Sequence, residues 1–477
     1  MKTQLTLCIS GTLLLVGMSG CEKTLERPMN VVYILADDLG YGDVGCYGQQ
    51  IIKTPNIDRM AKEGMLFTQH YAGCTVSAPS RCSLMTGLHT GHTQVRGNRE
   101  ITPEGQQPMR EDTYTLGKLM KSAGYTTGIF GKWGLGNPGS VSIPNKMGFD
   151  EFYGYNCQRQ SHSFYPDHLW HNEEKVLFPE NENNACKTYS QDLIHEQALK
   201  FIRDHKEQPF FAMLTYTLPH AELNLPHDSV YKMYENSFEE TPYIGKFDKV
   251  YGGYNTSEKP LASFAAMVSR LDKYVGDVMA ELKELGLDKN TIVIFTSDNG
   301  PWLTEHENGG SAGPLKDGKG TWWEGGFRVP AICWMPGKIN PAINDEIMTS
   351  MDLYPTFLSM AGIEQPKDLV LDGVNQTGLL FEEKHSARDE VYYWWGSELM
   401  AIRKGEWKYY FKTIKDQYLR TCKIETPAEP LLYNVETDIS ERFNQAEKHP
   451  GIVKLLIEAG EKHKKGMKIK PPVCDMM

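Results

Sequence analysis

Two pairs of side chains with oxygen donors each follow a short apolar run of the sequence. Asp37 and Asp38 come after the run NVVYILA, and Asp298 and Asn299 come after the run TIVIFTS. Carboxylate and amide oxygens suit a hard divalent cation better than zinc or copper, so Ca²⁺ is the first choice and Mg²⁺ the second. One such pair alone is typical of a tight turn, and its repetition after a second run favours a metal site.

A serine and an arginine lie between the two runs, at the predicted start of a helix. The segment reads Ser77-Ala78-Pro79-Ser80-Arg81 and continues as CSLMTG. A nucleophile at this place would lie beside the N–H groups of a helix N-terminus, which stabilise negative charge. The alternative interpretation is an ordinary helix start initiated by proline.

Strands that alternate with helices must bring these residues together. The sequence predicts buried strands at residues 30–36, 125–130, 210–218 and 291–297, with a long amphipathic helix at 261–285. This alternation predicts an α/β fold with a mostly parallel sheet flanked by helices, in which the carboxyl ends of the strands meet at one edge. Lys132 and His220 follow the second and third strands and are expected at that same edge.

The pattern changes after a charged stretch at residues 382–390. Beyond it the sequence has strand-like pieces at 391–395 and 406–412, a turn-rich segment at 432–440 and a last helix at 452–464. This block predicts a small antiparallel sheet with a packed helix. We therefore expect a catalytic α/β domain at residues 28–385 and a C-terminal α+β subdomain at residues 386–477.

The composition is that of a globular protein and excludes several other classes. Of the 477 residues, 40% are hydrophobic and 23% are charged, which excludes a disordered, collagen-like or coiled-coil chain. The chain has 50 basic and 61 acidic residues, a net charge of −11, and no basic block. This balance argues against nucleic acid as the partner.

The N-terminus indicates export. Residues 5–18 form an apolar run that is shorter than the roughly 20 residues of a spanning helix, and Lys2 precedes it. The sequence Met18-Ser19-Gly20-Cys21 resembles a bacterial lipobox, which implies a signal peptide at residues 1–20 and a lipid on the Cys21 thiol. We expect a lipoprotein of the periplasm or outer membrane that meets the membrane only through this lipid anchor. The alternative is a plain secretory signal with an incidental cysteine, and the eight other cysteines after Cys8 are left unpaired.

The segment around Ser77 resembles the maturation motif of type I sulfatases. The resemblance rests on Ser77, Pro79, Ser80 and Arg81, followed by Leu84, Thr86 and Gly87. In that family the first residue, cysteine or serine, is oxidised to formylglycine, and a serine is handled in bacteria by a radical-type maturase. Further segments match the family in order: Asp37-Asp38 with Gly40-Tyr41-Gly42, Gly131-Lys132-Trp133, Met147-Gly148-Phe149-Asp150, Pro219-His220, Asp298-Asn299-Gly300, Gly318-Lys319, Glu324-Gly325-Gly326 and Leu432-Tyr433-Asn434 with Asp438 and Glu441.

The resemblance implies an alkaline-phosphatase-like fold and a sulfuric ester hydrolase. It implies a cation bound by Asp37, Asp38, Ser77, Asp298 and Asn299, and fixed positive charge from Arg81, Lys132 and Lys319. A hydroxyl of the formylglycine hydrate, with Asp298 as base, would attack sulfur, and His220 or Lys319 would protonate the leaving alcohol. The second hydroxyl would then expel sulfate and restore the aldehyde. Lys319 is preferred to Lys316 because its spacing to Glu324 matches the family.

One residue departs from the family pattern. The family usually reads Gly-Lys-Trp-His-Leu-Gly, whereas Gly134 stands here in place of the histidine. Because that histidine is thought to assist sulfate release, the step would pass to another imidazole such as His70 or His162. The missing side chain could instead make room for substrate.

The segment at residues 156–170 is dense in polar and aromatic side chains, which suits a sugar. Its candidate substrate-binding residues are Gln158, Arg159, His162, Asp167 and His168. The alternative is a structured loop with internal bonds only. Because the segment resembles those of bacterial carbohydrate sulfatases, we expect a 6-O- or 4-O-sulfated galactose or N-acetylgalactosamine of host glycans, glycosaminoglycans or algal polysaccharides.

Two rival functions stay open from the sequence. One is a metal-dependent phosphohydrolase of the alkaline phosphatase superfamily, in which Ser77 stays unmodified. Such enzymes usually hold two zinc ions with several histidines, and the acidic strand ends here lack them. The other is a glycan-binding lipoprotein that has lost turnover, which only Gly134 favours.

Overall fold

The computed structural model describes residues 27–245, 254–303, 308–415 and 423–467. The predicted signal peptide and Cys21 lie outside these residues, as do Cys422 and Cys474. Within the described ranges no helix is both long enough and apolar enough to cross a bilayer. The six cysteines of these ranges are free thiols.

The body of the protein is built on one large sheet and a two-stranded pair. Their strands are β1 (Asn30–Ala36), β2 (Met65–Phe67), β3 (His70–Tyr71), β4 (Thr126–Lys132), β5 (Glu151–Tyr155), β6 (His168–His171), β7 (Glu174–Leu177), β8 (Phe210–Thr215), β9 (Thr291–Ser297), β10 (Ala331–Trp334), β11 (Ala342–Asn344) and β12 (Met348–Thr349). Among the described residues the large sheet has the order β11-β2-β10-β9-β1-β8-β4-β5-β6-β7, and β3 pairs with β12.

The centre of the large sheet is parallel. Strand β1 lies between β8 and β9, β4 follows β8, and β5 follows β4, all in the same direction. The antiparallel strands β10, β6 and β7 lie toward the two sides. The carboxyl ends of β1, β4, β8 and β9 therefore meet at one edge, and the predicted fold class is confirmed.

Helices cover both faces of this sheet. The α-helices of the described residues are α1 (Pro55–Glu63), α2 (Ser77–Thr86), α3 (Leu116–Ser122), α4 (Gln158–Ser161), α5 (Ser190–Asp204), α6 (Ser229–Lys232), α7 (Pro260–Glu284), α8 (Glu324–Phe327), α9 (Leu353–Met360), α10 (Thr377–Phe381) and, on the smaller sheet described below, α11 (Pro450–Gly466). Because side chains alternate along a strand, Val32 and Ile34 of β1 join the core formed with α5 and α7. Val31 and Tyr33 join the opposite core, formed with α2, α3 and α9.

The C-terminal part forms a second, smaller sheet. Its strands and a neighbouring hairpin are β13 (Glu390–Trp395), β14 (Glu398–Lys404), β15 (Trp407–Tyr410), β16 (Thr413–Lys415), β17 (Lys423–Glu425) and β18 (Leu431–Asn434). The sheet is antiparallel in the order β13-β14-β15-β18, and α11 packs on β14 and β15. The start of the segment predicted as turn-rich at 432–440 is in fact strand β18, because Leu432 and Tyr433 are buried and their backbone pairs with β15.

A buried ion network joins the small sheet to the body. Lys408 of β15 lies 2.8 Å from Glu324 of α8 and 3.4 Å from Glu441, and its Nζ also donates to the carbonyl of Trp322 at 2.7 Å. Burial would raise the pKa of Glu324, but Lys408 and Arg328 hold that pKa at about 2. Lys408 thus contacts two carboxylates that have no contact with solvent, and Arg328 lies 3.6 Å from one of them, Glu324.

We expect Lys408→Met to destabilise the protein by about 3–5 kcal/mol, because it removes the ammonium that contacts the buried carboxylates of both Glu324 and Glu441. The midpoint of urea unfolding measures the change. The matched control is Lys404→Met, which removes a partly exposed lysine paired with Glu390 and should change stability by less than about 1 kcal/mol. Equal losses in the two variants would contradict this role of Lys408.

Candidate active site

The acidic pairs meet at the carboxyl edge of the parallel strands. Asp37 and Asp38 follow β1, Asp298 and Asn299 follow β9, and the Asp38 N–H donates to Asp298 Oδ1 at 3.3 Å. Asp38 has a φ of 62°, an uncommon backbone conformation for a residue other than glycine. Such backbone strain is found at functional sites, where the surroundings hold a side chain in a required direction.

Ser77 is the first residue of helix α2 and points at both acidic pairs. Its Oγ lies 3.2 Å from Asp37 Oδ1 and 3.4 Å from Asn299 Oδ1. Pro79 falls in the first turn, where a missing N–H breaks no helical hydrogen bond, and Gly87 ends the helix with a φ of 68°. Local sequence therefore fixes where the helix begins and where Ser77 lies.

Each of the three carboxylates has a cation of its own. Lys132 Nζ lies 2.6 Å from Asp37 Oδ2, and Lys319 Nζ lies 2.7 Å from Asp38 Oδ2. The Nε and Nη2 atoms of Arg81 donate to Asp298 Oδ2 at 3.1 and 2.9 Å, and its Nη1 donates to the carbonyl of Lys132 at 2.7 Å. Lys316 lies outside this arrangement, with its Nζ 3.3 Å from the centre of the Trp323 ring.

The proximity of these charges changes their proton affinities. Burial alone would raise the pKa of Asp37, but Lys132, His220 and Arg81 hold that pKa well below its usual range. Burial and the charge of Asp37 raise the pKa of Asp298 to about 6, against the opposing effect of Arg81. Burial would lower the pKa of Lys319, but Asp38 and Asp37 raise it.

His220 lies next to the acidic pairs within a group of rings. Its Nε2 is 3.5 Å from Asp38 Oδ2, and its ring stacks on His162 with a centroid distance of 4.9 Å. Burial and Lys319 lower the pKa of His220 well below its usual value. His70, the other imidazole considered for the place of the missing histidine, is buried elsewhere with its Nε2 3.4 Å from Ser350 Oγ.

The oxygen donors fit the predicted cation. Asn299 donates through Nδ2 to Asp38 Oδ1 at 2.7 Å, so its amide oxygen is turned toward Ser77. Three carboxylates face Arg81, Lys132 and Lys319, so their formal charges cancel, and a divalent ion would add two positive charges to this centre. The carboxylate, amide and hydroxyl oxygens of the two acidic pairs and Ser77 are ligands that Ca²⁺ and Mg²⁺ prefer.

The predicted substrate-binding residues divide into two groups. Gln158 and His162 lie beside the acidic pairs and their cations, which together we call the centre. Arg159, Asp167 and His168 form the second group, which we call the rim. Arg159 Nε donates to Glu100 at 2.8 Å, and His168 lies between Asp167 at 2.7 Å and Glu104 at 3.0 Å. Burial would lower the pKa of His168, but Glu104 and Asp167 raise it above its usual value.

Gly134 lies between the centre and the rim. Its φ is 74°, and a Cβ placed on it would lie 3.5 Å from Gln158 Cγ and 3.7 Å from Arg81 Cδ. An imidazole extending from that Cβ would meet the Gln158 side chain. Gln158 is thus the side chain that lies nearest to a Cβ at position 134.

Three residues of the site were missed by sequence reasoning. Asn98 Oδ1 accepts from the Ala78 N–H at 2.9 Å and from Gln158 Nε2 at 3.2 Å, and so joins helix α2 to the substrate segment. Trp302 and Tyr254 pack around His220 at centroid distances of 5.7 and 5.8 Å. Of these three residues, only Trp302 could have been suspected from the sequence, because it comes three residues after Asn299. Asn98 and Tyr254 belong to no recognisable sequence pattern.

Comparison with known protein families shows which family the chain belongs to. The family model described as Sulfatase matches residues 29–363, and the model described as C-terminal region of aryl-sulfatase matches residues 386–477. The chain belongs to the sulfatase family. It is a sulfuric ester hydrolase, and the family is generally dependent on formylglycine and a metal.

Individual sulfatases resemble the whole chain. N-acetylgalactosamine-6-sulfatase of Canis lupus familiaris is 34% identical over 81% of this chain and 72% of its own length. Arylsulfatase A of Homo sapiens is 31% identical over 88% of this chain and 84% of its own. The crystal structure of Ps i-CgsB in complex with k-i-k-neocarrahexaose has a TM-score of 0.74 and 28% identity, covering 92% of this chain and 93% of that one. The alkaline-phosphatase-like fold implied by the sequence motifs is confirmed.

We expect Gly134→Ala to lose about 1–2 kcal/mol of stability through its left-handed backbone and to retain sulfatase activity, because the Cβ contacts Gln158 at ordinary distance. Gly139→Ala, with a φ of 77° and nothing near its Cβ, is the matched control and should lose as much. Gly134→His should displace Gln158 and lower kcat/KM for aryl sulfates. Thermal unfolding and steady-state kinetics measure both effects, and a fully active Gly134→His sulfatase would contradict this account of Gln158.

Proposed function

We propose that this sulfatase uses a formylglycine made from Ser77 and a bound Ca²⁺ to remove O-sulfate from a carbohydrate. The observation that supports it is the position of Ser77 at the start of α2, with its Oγ between Asp37 and Asn299. A serine there needs oxidation by a radical-type maturase, which accepts the two electrons and two protons removed from the alcohol. The hydrated aldehyde supplies one hydroxyl to attack sulfur and a second to expel sulfate, a step that an unmodified serine has no group to perform.

The cations of the centre would hold the sulfate group. Arg81 and Lys132 are buried beside Ser77's acidic neighbours, where positive charge stabilises the charge that develops on the sulfuryl oxygens. Asp298 would accept the proton of the attacking hydroxyl. Lys319 and His220 converge on Asp38 and would donate a proton to the leaving alcohol.

The metal would be held by Asp37, Asp38, Asp298, Asn299 and the residue at position 77. A bound Ca²⁺ would add positive charge beside the sulfate group and orient the nucleophilic oxygen. A phosphohydrolase with two zinc ions is disfavoured, because among the described residues His220 is the one histidine that groups with Asp37 and Asp38 as possible metal ligands.

We propose a galactose or N-acetylgalactosamine that carries sulfate at O6 or O4 as the substrate unit. One relative is named N-acetylgalactosamine-6-sulfatase, and another was crystallised with a hexaose. Gln158 and His162 beside the centre, and Arg159, Asp167 and His168 at the rim, offer hydrogen bonds to sugar hydroxyls. Export through a lipoprotein signal, with an anchor at Cys21, would place the enzyme where such polysaccharides are met.

Peptide mass spectrometry across Ser77 tests the nucleophile, on protein from a host that contains the maturase. We expect a peptide lighter than the serine form by two hydrogen atoms, or heavier by one oxygen atom as the hydrate. Ser77→Ala should abolish turnover and keep the fold. Ser83→Ala, in the same helix with its Oγ on the Leu88 carbonyl, is the control and should stay active. Unmodified Ser77 in a protein that cleaves sulfate esters would refute the mechanism.

Treatment of the protein with a chelator tests the proposed Ca²⁺ site. Removal of divalent ions should abolish activity, and Ca²⁺ should restore it and raise the unfolding temperature, since a ligand at 100 times its Kd stabilises the folded state by about 2.7 kcal/mol. Asp38→Asn should lose the stabilisation by Ca²⁺ as well as the activity. Recovery with Zn²⁺ alone, on phosphate rather than sulfate esters, would favour the rival phosphohydrolase.

A further inference from the structure

Trp302 contacts Lys319 and His220, the two side chains proposed to protonate the leaving alcohol. Its ring centre lies 4.8 Å from Lys319 Nζ, and its centroid lies 5.7 Å from that of His220. The residue follows β9 in the same loop as Asp298 and Asn299, and its backbone N–H donates to Gly309 at 3.1 Å. One indole therefore joins the two proposed proton donors.

The polar ends of these two side chains face the same oxygen atom of Asp38. Lys319 Nζ donates to Asp38 Oδ2 at 2.7 Å, and His220 Nε2 lies 3.5 Å from the same oxygen atom. His220 Nδ1 is buried and has no hydrogen-bond partner among the described residues. The direction of both side chains thus depends on ring packing as well as on one carboxylate oxygen.

The surrounding rings differ in what they contact. Tyr254 packs on His162, His220 and Trp302 at centroid distances of 5.3, 5.8 and 5.9 Å. His162 covers one side of His220. Among these rings Trp302 is the one with a cation–π contact to Lys319, and an indole attracts an ammonium more strongly than a phenyl ring does.

We propose that Trp302 is a positioning residue for protonation of the leaving alcohol, which holds the Lys319 ammonium and the His220 ring at Asp38. The proposal rests on the proposed function. In the step concerned a hydroxyl oxygen of the proposed formylglycine hydrate would form a bond to sulfur and pass its proton to Asp298, while the bond between sulfur and the sugar oxygen breaks and leaves its electron pair on that oxygen. A proton from Lys319 Nζ or His220 Nε2 then completes the alcohol, and water later returns a proton to the donor.

A leaving-group series separates this role from a structural one. A good leaving group such as 4-nitrophenolate departs without a proton, whereas a sugar or alkyl alkoxide requires one. We expect Trp302→Leu to lower kcat/KM less than about 3-fold for 4-nitrophenyl sulfate and about 30-fold or more for alkyl and sugar sulfates, within the range that general acid catalysis supplies. Trp302→Phe keeps a ring and should fall between.

A similar contact nearby provides the control. Trp323 holds Lys316 by a cation–π contact at 3.3 Å, outside the centre. Trp323→Leu should leave the leaving-group dependence unchanged. Formylglycine occupancy at position 77 and the unfolding temperature are measured for every variant, so that maturation and folding are compared directly. In Lys319→Ala the further change Trp302→Leu should have a smaller effect than in wild type.

These measurements distinguish the positioning role of Trp302 from a structural role and from failure of the proposed function. An equal loss on all substrates in both Trp302 variants, or full additivity with Lys319→Ala, would overturn the positioning role and leave the proposed function intact. A wild-type protein with formylglycine but no activity on any sulfate ester would overturn the proposed function and this inference with it. A steeper dependence on the leaving group in Trp302→Leu alone would support the inference.

Discussion

The structure of the site depends on burying three carboxylates within a few ångströms of one another. Asp37, Asp38 and Asp298 are almost without solvent contact, and isolated charges at such depth are very unfavourable. The fold resolves this by bringing one cation to each carboxylate from three separate elements: the end of β4, helix α2 and the segment before α8. The ion pairs that bring these side chains together thus also stabilise the buried charges at this edge of the sheet.

Because the Lys319–Asp38 pair depends on the segment that carries Lys319, the C-terminal sheet supports a site that it does not itself line. The segment of Lys319 donates from its backbone to Pro301 at 2.8 Å, and Gly320 donates to Thr75 at 2.9 Å. The same segment continues into Glu324, which Lys408 of the small sheet holds through a buried ion pair. The small sheet therefore stabilises the loop that brings the third cation to the centre, and the body and the C-terminal part act as one unit.

Much of the centre was predictable because backbone periodicity controls it. The strands at 30–36 and 291–297 have the bounds read from their apolar runs, and parallel pairing alone brings Asp37 and Asp298 to one edge. The predicted strand at 125–130 begins and ends later, with Lys132 as its last residue. The predicted strand at 210–218 stops at Thr215, because the chain turns away from the sheet before His220.

Arg159, Asp167 and His168 of the rim were named from the sequence, but the acidic partners that Arg159 and His168 find in a distant loop were not predictable. Glu100 and Glu104 lie in a segment without periodicity or motif, yet they pair with Arg159 and His168. Strand β18 was hidden by its turn-forming neighbours, and its burial against β15 outweighs their local preference. Such features depend on tertiary contacts that no window of sequence contains.

The charged side chains of the site fall into two groups, those of the centre and those of the rim. At the centre each formal charge has an opposite partner, so attraction for an anion depends on an added divalent ion. At the rim Glu100 neutralises Arg159, and His168 lies between two carboxylates. Lys175, whose side chain is about half exposed, lies 3.9 Å from Glu104 in the same region. The rim therefore carries paired charges of both signs, whereas the charges of the centre are buried and would be joined by those of a divalent ion.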